Sequence, residues 1–520
     1  MRNPVRLPVL LAALLLSAAA TAATVPTNAY HAMQWRLVGP FRAGWATAVS
    51  GIPGSPDMWL FGAADGGVWK TIDNGITWKP IFDPAGGSSV GALAVAPSNP
   101  DVVYLGTGQV ATRYDIAAGN GVYKSTDGGT TWRNVGLKDT RHIGRILVDP
   151  KNPDVVLVAA LGHIFGPNKA RGVFRSDDGG KTWHRTLYVS DHTGAVDIAF
   201  DPTHPDVVYA ALWQCHMRPW LDYFEAPIGP QSGIYKSTDE GRTWHRLTNG
   251  LPRSPMGRIG LGVARGSHGR TVYAIIQAED HGGVYGSTDG GAHWHYINHN
   301  EGLADSYFAR LRVAPNDPKT IYLMGRSLRR STDGGKDFTI IKGSPGGDDY
   351  HAFWIDPAHP ERMIAGVDQG ATLTVNGGKT WSSWYNQPTG QFYHVETSDT
   401  FPYWIYSGQQ DSGTVGIKNR SDYGAITFRD WYSVGADERD FDVPDPRDPN
   451  IVYGSGLGGH LSRFDAHTGQ SQNISPWPVS TYAARPNTVK NRYTWFTPIA
   501  IRHKPPYTLY VGAQHLFAST

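Results

Sequence analysis

An eight-residue phrase, S/T-x-D-x-G-x-T-W, returns seven times along this chain and restricts its fold more than any other feature. The copies are TIDNGITW (71–78), STDGGTTW (125–132), SDDGGKTW (176–183), STDEGRTW (237–244), STDGGAHW (287–294), STDGGKDF (331–338) and TVNGGKTW (374–381). They stand roughly 43 to 61 residues apart, a spacing that suits one propeller blade per copy. Each copy sits among four short β-branched or aromatic runs divided by Pro, Gly and Asp turns. In the third repeat these are IGRILVDP (143–150), DVVLVAAL (154–161), GVFRS (172–176) and TWHRTL (182–187). We name such runs strands A to D, with the repeated phrase as the C–D turn. The expected fold class is therefore all-β, a β-propeller of four-stranded blades. Composition agrees: 62 Gly, 36 Pro, 18 Trp and 25 Tyr suit short strands and tight turns. A helical solenoid would favour Ala, Leu, Glu and Lys instead.

The pattern continues beyond the seventh copy. QFYHVETSD, YWIYSGQQ, GTVGIK and a run near ITFRDWYSV make an eighth blade. DFDVPDP, IVYGSG, HLSRFD and SQNIS make a ninth, and PIAI, TLYVGA and HLFAST begin a tenth. Two arrangements accommodate about ten blades. In one, a seven-bladed propeller over 33–385 precedes further blades over 386–520 that form an incomplete second propeller. In the other, a single ten-bladed ring uses QWRLV (34–38) as the last blade's outer strand, leaving no open edge. The loss of the repeated phrase after residue 381 favours the first.

The N-terminus carries a processing signal. Arg2 and Arg6 precede an apolar run over 7–16 and a small-residue stretch ending in Ala20-Thr21-Ala22, which predicts a signal peptide over 1–22 cleaved after Ala22. Secretion or periplasmic location follows, with no membrane span in the mature chain. The single cysteine, Cys215, excludes an internal disulfide and a cysteine metal cage. A net charge of +2 gives no argument for nucleic acid as a partner.

The repeated aspartates read as brackets. Asp73, Asp127, Asp178, Asp239, Asp289 and Asp333, with Asn376 in the seventh copy, are placed to accept backbone N–H bonds within the turn. A Ca²⁺ loop would need several acidic positions in about 12 residues and a terminal bidentate Glu. In four-stranded antiparallel blades the C–D turns share a face with the A–B turns, so chemistry is expected opposite, on the D–A and B–C loops. Those loops offer Arg113, His142 and His163, and an insertion over 212–233 with Trp213, Trp220 and Tyr223. They also offer Asp348, Asp349 and His351 in GGDDYHAF, Asp411 in QQDSG, and Asp437, Glu438 and Asp440 in GADERD. Flat rings beside carboxylates suit sugars, so Arg113, His142, His163, Trp213, Trp220 and Tyr223 are candidate substrate contacts. No HxH or HExxH pair is present, so neither a metal nor another cofactor is expected.

The phrases GLKDTRHIGRI, ALGHIFGPNKARGVFRSDDGGKTW and IVYGSGLGGHLSRFD resemble exported bacterial BNR/Asp-box repeat proteins. That is the glycosyl hydrolase / sortilin-like (VPS10-type) family, distantly similar to two-propeller xyloglucanases. The resemblance implies a catalytic Asp just after strand B in the first blade of each propeller. FGAADGGVWK puts Asp65 there in blade one, and YSGQQDSGTVGI puts Asp411 there in blade eight. It therefore implies a glycoside hydrolase acting on a polysaccharide or oligosaccharide, with Asp65 as base and Asp411 as acid. The alternative is a non-catalytic sortilin-like scaffold that binds a peptide or protein in its cavity. Comparison with sialidases fails, because GPFRAG around Arg42 is not their Arg-Ile-Pro start.

Overall fold

The computed structural model describes residues 25–113, 116–217, 227–435, 437–439, 441–479 and 487–519. The expected signal peptide lies outside them. From residue 39 onward the described chain forms ten antiparallel sheets, eight with four strands and two with three. The first shows the common plan, with Ala46–Ile52, Ser55–Ala63, Val68–Thr71 and Lys79–Pro80 side by side in chain order. Burial falls from the A strand outward: Ala46–Ile52 is buried throughout, whereas Lys79–Pro80 is exposed. The sequence follows that gradient, small and β-branched inside and charged at the rim.

Glycine lets neighbouring A strands crowd around the axis. A Cβ added at Gly144 would stand 2.3 Å from the carbonyl oxygen of Val196 in the next blade, and one at Gly260 would stand 2.2 Å from that of Ala309. Both are closer than real side chains come, so any larger residue would force the blades apart. Between blades the gaps are filled by large rings. Trp59, fully buried, meets Trp354 edge-on at 5.8 Å.

The ring closes after seven sheets. Ala46–Ile52 packs on Val90–Val95 of the second sheet and on Tyr350–Ile355 of the seventh. A single ten-bladed ring is thereby replaced by seven sheets that meet end to end. The seventh sheet lacks a D strand, and Asn386 finishes the seam by donating to the carbonyls of Gly75 and Ile76 at 2.7 and 2.9 Å. Sheets eight to ten pack on one another in chain order. The tenth has three strands, Ile499–Ile501, Leu509–Gly512 and Leu516–Ser519. QWRLV, expected as a spare outer strand, lies in no strand.

The repeated turns brace themselves and their neighbours. In the second, Asp127 Oδ1 accepts from the Thr131 amide at 2.8 Å and Oδ2 from the Thr131 hydroxyl at 2.6 Å. The Ser125 hydroxyl donates to Asp127 at 2.8 Å and accepts from the Gly129 amide at 2.8 Å. Trp132 then donates to the carbonyl of Ile81 in the preceding blade at 2.9 Å. Asp73, Asp178 and Asp239 repeat the arrangement with Thr77, Thr182 and Thr243. Asp289 uses the amide and ring of His293, Asp333 the amides of Lys336 and Asp337, and Asn376 the amide and hydroxyl of Thr380. Hydrogen bonds to the ionised form hold Asp73, Asp127 and Asp178 down at about 2.

Candidate functional site

On the B–C face, the turn after strand Trp404–Gln409 of blade eight is pinned against the seven-sheet ring. Arg42, buried just before blade one, donates to the Gln409 side chain at 2.9 Å and to the carbonyls of Gly413 and Thr414 at 3.1 and 3.3 Å. Gln369, in the B–C turn of blade seven, donates to the Asp411 carbonyl at 3.1 Å. Asp411 itself adopts φ 56°, as does Asp349 in the D–A loop ahead of blade seven. Two non-glycine residues in the left-handed region at one place mark backbone strain retained at a site.

Four carboxyl groups converge here. Asp368 follows strand Met363–Val367 of blade seven and hydrogen-bonds the side chain of Asp411. Asp349 and Glu438 both feel the charge of Asp411. Gln410 links the set, donating to Asp411 Oδ1 at 2.7 Å and to Glu438 Oε1 at 3.5 Å. Burial first, and then the charge of Asp411, pushes Asp349 and Glu438 up to about 7. Asp368, more deeply buried, is pushed well above the usual carboxylate range by burial and then by Asp411. Its partner His351, at 2.6 Å, is held well below the usual imidazole range by burial and by the charges of Arg310, Arg258 and Arg113. The buried pair is thus driven toward its neutral forms.

Cations and rings frame the carboxyls. Arg439 pairs with Glu438 at 2.6 Å and lies 4.3 Å over the ring of Trp495. Trp495 donates to the Tyr393 hydroxyl at 3.3 Å, and Arg113 donates to the same hydroxyl at 3.4 Å. Tyr393 donates in turn to Gln410. Such a set carries protonated and ionised carboxyls together near neutral pH, the condition for paired acid and base chemistry. Among the described residues no group of three or more His, Cys, Asp or Glu is placed to hold a metal ion.

The sequence-derived candidates divide among several places. Asp411 and Arg113 belong to the cluster, together with Asp349, His351 and Glu438 from the loops singled out above. Asp65 is exposed on the B–C loop of blade one, beside Ala64, whose carbonyl accepts from Gln109 at 3.1 Å. His142 and His163 line a separate cavity of about 470 Å³ with Arg141 and Phe165. His142 is buried, bonded to the Gln109 carbonyl at 2.7 Å, and lowered by burial to about 4. Trp213 is fully buried and donates to the Pro227 carbonyl at 2.7 Å, so its ring packs the core and offers no face to a sugar. Trp220 and Tyr223 lie outside the described residues. Sequence reasoning missed Asp368, although it holds the place after strand B that singled out Asp65 and Asp411. It also missed Tyr393, which lies in the run QFYHVETSD read only as a strand of blade eight, and Trp495, which precedes the PIAI run of blade ten.

Comparisons with known proteins agree with the fold. A family profile described as Sortilin, neurotensin receptor 3 matches residues 120–253. A xyloglucanase of Paenibacillus sp is 28% identical over 222 residues, covering 37% of this chain and 20% of its own length. A xyloglucanase of Hypocrea jecorina (strain QM6a) is 25% identical over 427 residues, 76% of this chain and 44% of its own. The crystal structure of a GH74 xyloglucanase from Xanthomonas campestris matches with a TM-score of 0.55 at 16% identity, over 93% of this chain and 86% of that one. The chain is distantly similar to the xyloglucanases. It spans less than half the length of these two curated relatives, and the structural likeness establishes the propeller fold. No helix among the described residues is long and apolar enough to cross a membrane.

Proposed function

We propose that this protein is an exported glycoside hydrolase that cleaves a polysaccharide or oligosaccharide, xyloglucan first among the substrates to test. The observation that carries the reading is the group of carboxyls around Asp411, two of them raised to about 7, on the loop face between the ring and blades eight to ten. Similarity to xyloglucanases supports it. In this reading, residues 33–385 form one seven-bladed propeller and 386–520 the blades of an incomplete second, and the sugar lies along the groove between them. Asp411, supplied with a proton by the raised Asp368 hydrogen-bonded to it, protonates the leaving glycosidic oxygen, and Asp65 activates water on the opposite side of the ring. Asp349, Asp368 and Glu438 set the proton inventory around Asp411, and Trp495 and Tyr393 are aromatic surfaces for a sugar ring. The seven repeated turns take no part.

The test is release of reducing ends from xyloglucan and from other β-glucans by the full chain and by Asp65→Asn and Asp411→Asn. Activity lost in both variants with folding intact supports the pair. Undiminished activity in either removes that residue from the mechanism. The sortilin-type profile over 120–253 favours a second reading, a scaffold that holds a peptide or protein. That reading gains if glycans bind without turnover, or if no glycan is recognised at all.

A further inference from the structure

The opposite mouth of the ring, on the side of the A–B turns, has different chemistry. A cavity of about 300 Å³ opens there, walled by the A strands of all seven blades and containing Arg145, Arg265 and Arg312. Deeper along the axis, a pocket of about 10 Å³, room for one water, is lined by Asp197, Arg258, Arg310 and Arg312. Arg310 and Arg312 lie two apart on the strand Arg310–Ala314, so the pleat sends both to the same side. Arg145 comes from Ile143–Val148, Asp197 from Thr193–Asp201 and Arg258 from Met256–Val263.

These groups do not balance. Arg145, Arg258, Arg310 and Arg312 all face the carboxylate of Asp197, and Arg258 also feels that of Asp305; both oxygens of Asp197 accept backbone amides, Ile198 and Leu261, at 3.0 Å. Neutral carbonyls take what the arginines donate. Arg258 bonds those of Ser306 and Tyr307 at 3.2 and 2.8 Å, Arg312 that of Leu311 at 2.7 Å, and Arg310 that of His351. Nε of Arg145 and Nε of Arg312 are buried without a hydrogen-bond partner. Like charges gathered at one partly buried place, facing a cavity with protein walls, repel one another, and an anion that joins them relieves the repulsion. Burial and the neighbouring arginines lower Arg312 to about 9, which still leaves it charged at neutral pH.

We propose that this vestibule is a binding site for a small oxyanion, a carboxylate, phosphate or sulfate group, held chiefly by Arg145 and Arg312. Guanidinium groups suit such ligands because their planar forks match two oxygens at once. The cavity is at the small end of ligand sites, which limits the occupant to an inorganic oxyanion or one acidic sugar. The proposal does not depend on hydrolysis, since the site lies on the face away from Asp411.

The full chain is melted in sodium sulfate, sodium phosphate and sodium galacturonate, each matched in ionic strength by sodium chloride, and binding is confirmed by calorimetry. We expect at least one oxyanion to raise the melting temperature by about 2–4 °C over chloride at saturating concentration. Sulfate or phosphate alone acting would identify a tetrahedral ligand, and galacturonate alone a carboxylate. Arg145→Met and Arg312→Met should melt no lower than the parent without ligand and bind the oxyanion at least tenfold more weakly. Arg312→Lys, which keeps the charge and loses the fork, should fall between. An equal rise in chloride, or undiminished binding in both Met variants, overturns the proposal. So does a large loss of stability in both Met variants without ligand, which would make the arginines structural.

Discussion

The two mouths of the seven-sheet ring bury opposite charges, and the two signs respond differently to the same confinement. Around Asp411, crowded carboxyls relieve their repulsion by binding protons, because burial has brought Asp349 and Glu438 to about 7. Across the ring, Arg310 and Arg312 come down only to about 9 and Arg258 to about 10. They keep their charge at neutral pH and leave the field to be met by an anion. Equal confinement therefore produces a proton-exchanging site at one mouth and an anion-demanding one at the other.

The strongest way to separate the mouths is Asp411→Asn. Under the proposed mechanism it should lower hydrolysis by about 10²–10⁴-fold and leave oxyanion binding unchanged, measured by reducing-end release and calorimetry on the same preparation. Loss of both would show that the mouths act as one unit.

Next in size is a pH effect. Asp349 and Glu438 titrate higher in the folded chain than their ordinary values of 3.8 and 4.5, so folding favours their protonated forms. Their stabilising contribution is present below about 4 and is lost as the pH rises through about 7. Denaturant titrations across that window should show a decline, and Glu438→Gln should flatten it by on the order of 1–2 kcal/mol, allowing for the solvent that still reaches the side chain. An unchanged slope would remove Glu438 from the shared proton set. The bracketing aspartates have the opposite sign. Asp73, Asp127 and Asp178, held at about 2, support the fold above their ordinary value of 3.8 and lose that support progressively as the pH falls from there through about 2. Denaturant titrations should therefore show their contribution falling between about pH 4 and about pH 2.

The smallest expected effect tests the brackets alone. Trp132→Phe removes the bond to Ile81 in the preceding blade and should cost about 1 kcal/mol in denaturant unfolding. Both mouths should keep their activity and binding, since the turn braces the rim.

Most of the fold was legible because each repeated turn carries its own local chemistry. Asp accepts amides four residues on, Gly takes the left-handed conformation, and Trp reaches the previous blade, all from residues close in sequence. The strands of blades eight to ten followed from the same pattern of short apolar runs. QWRLV misled because a β-shaped segment says nothing about whether a partner strand stands beside it. Trp213 misled in a similar way, as a ring within a loop-rich insertion that turned out to fill the core. The candidate site was legible residue by residue, with Asp349, His351, Asp411 and Glu438 all on the loops singled out. Their meeting was not legible, because it joins blade seven to the B–C turn of blade eight and to the loops on either side of that blade, through Gln369, Gln410 and Tyr393.

The sequence by itself determined the blade, its repetition and the face on which the brackets lie, since these rest on contacts within about fifty residues. Only the tertiary structure decided that the ring closes at seven, that acidic loops from three blades share one cluster, and that arginines from blades three, five and six converge on the axis. Strand periodicity places a side chain on one side of its own sheet. Where that side faces another charge depends on how many sheets stand around the axis, and that number is set by packing between blades.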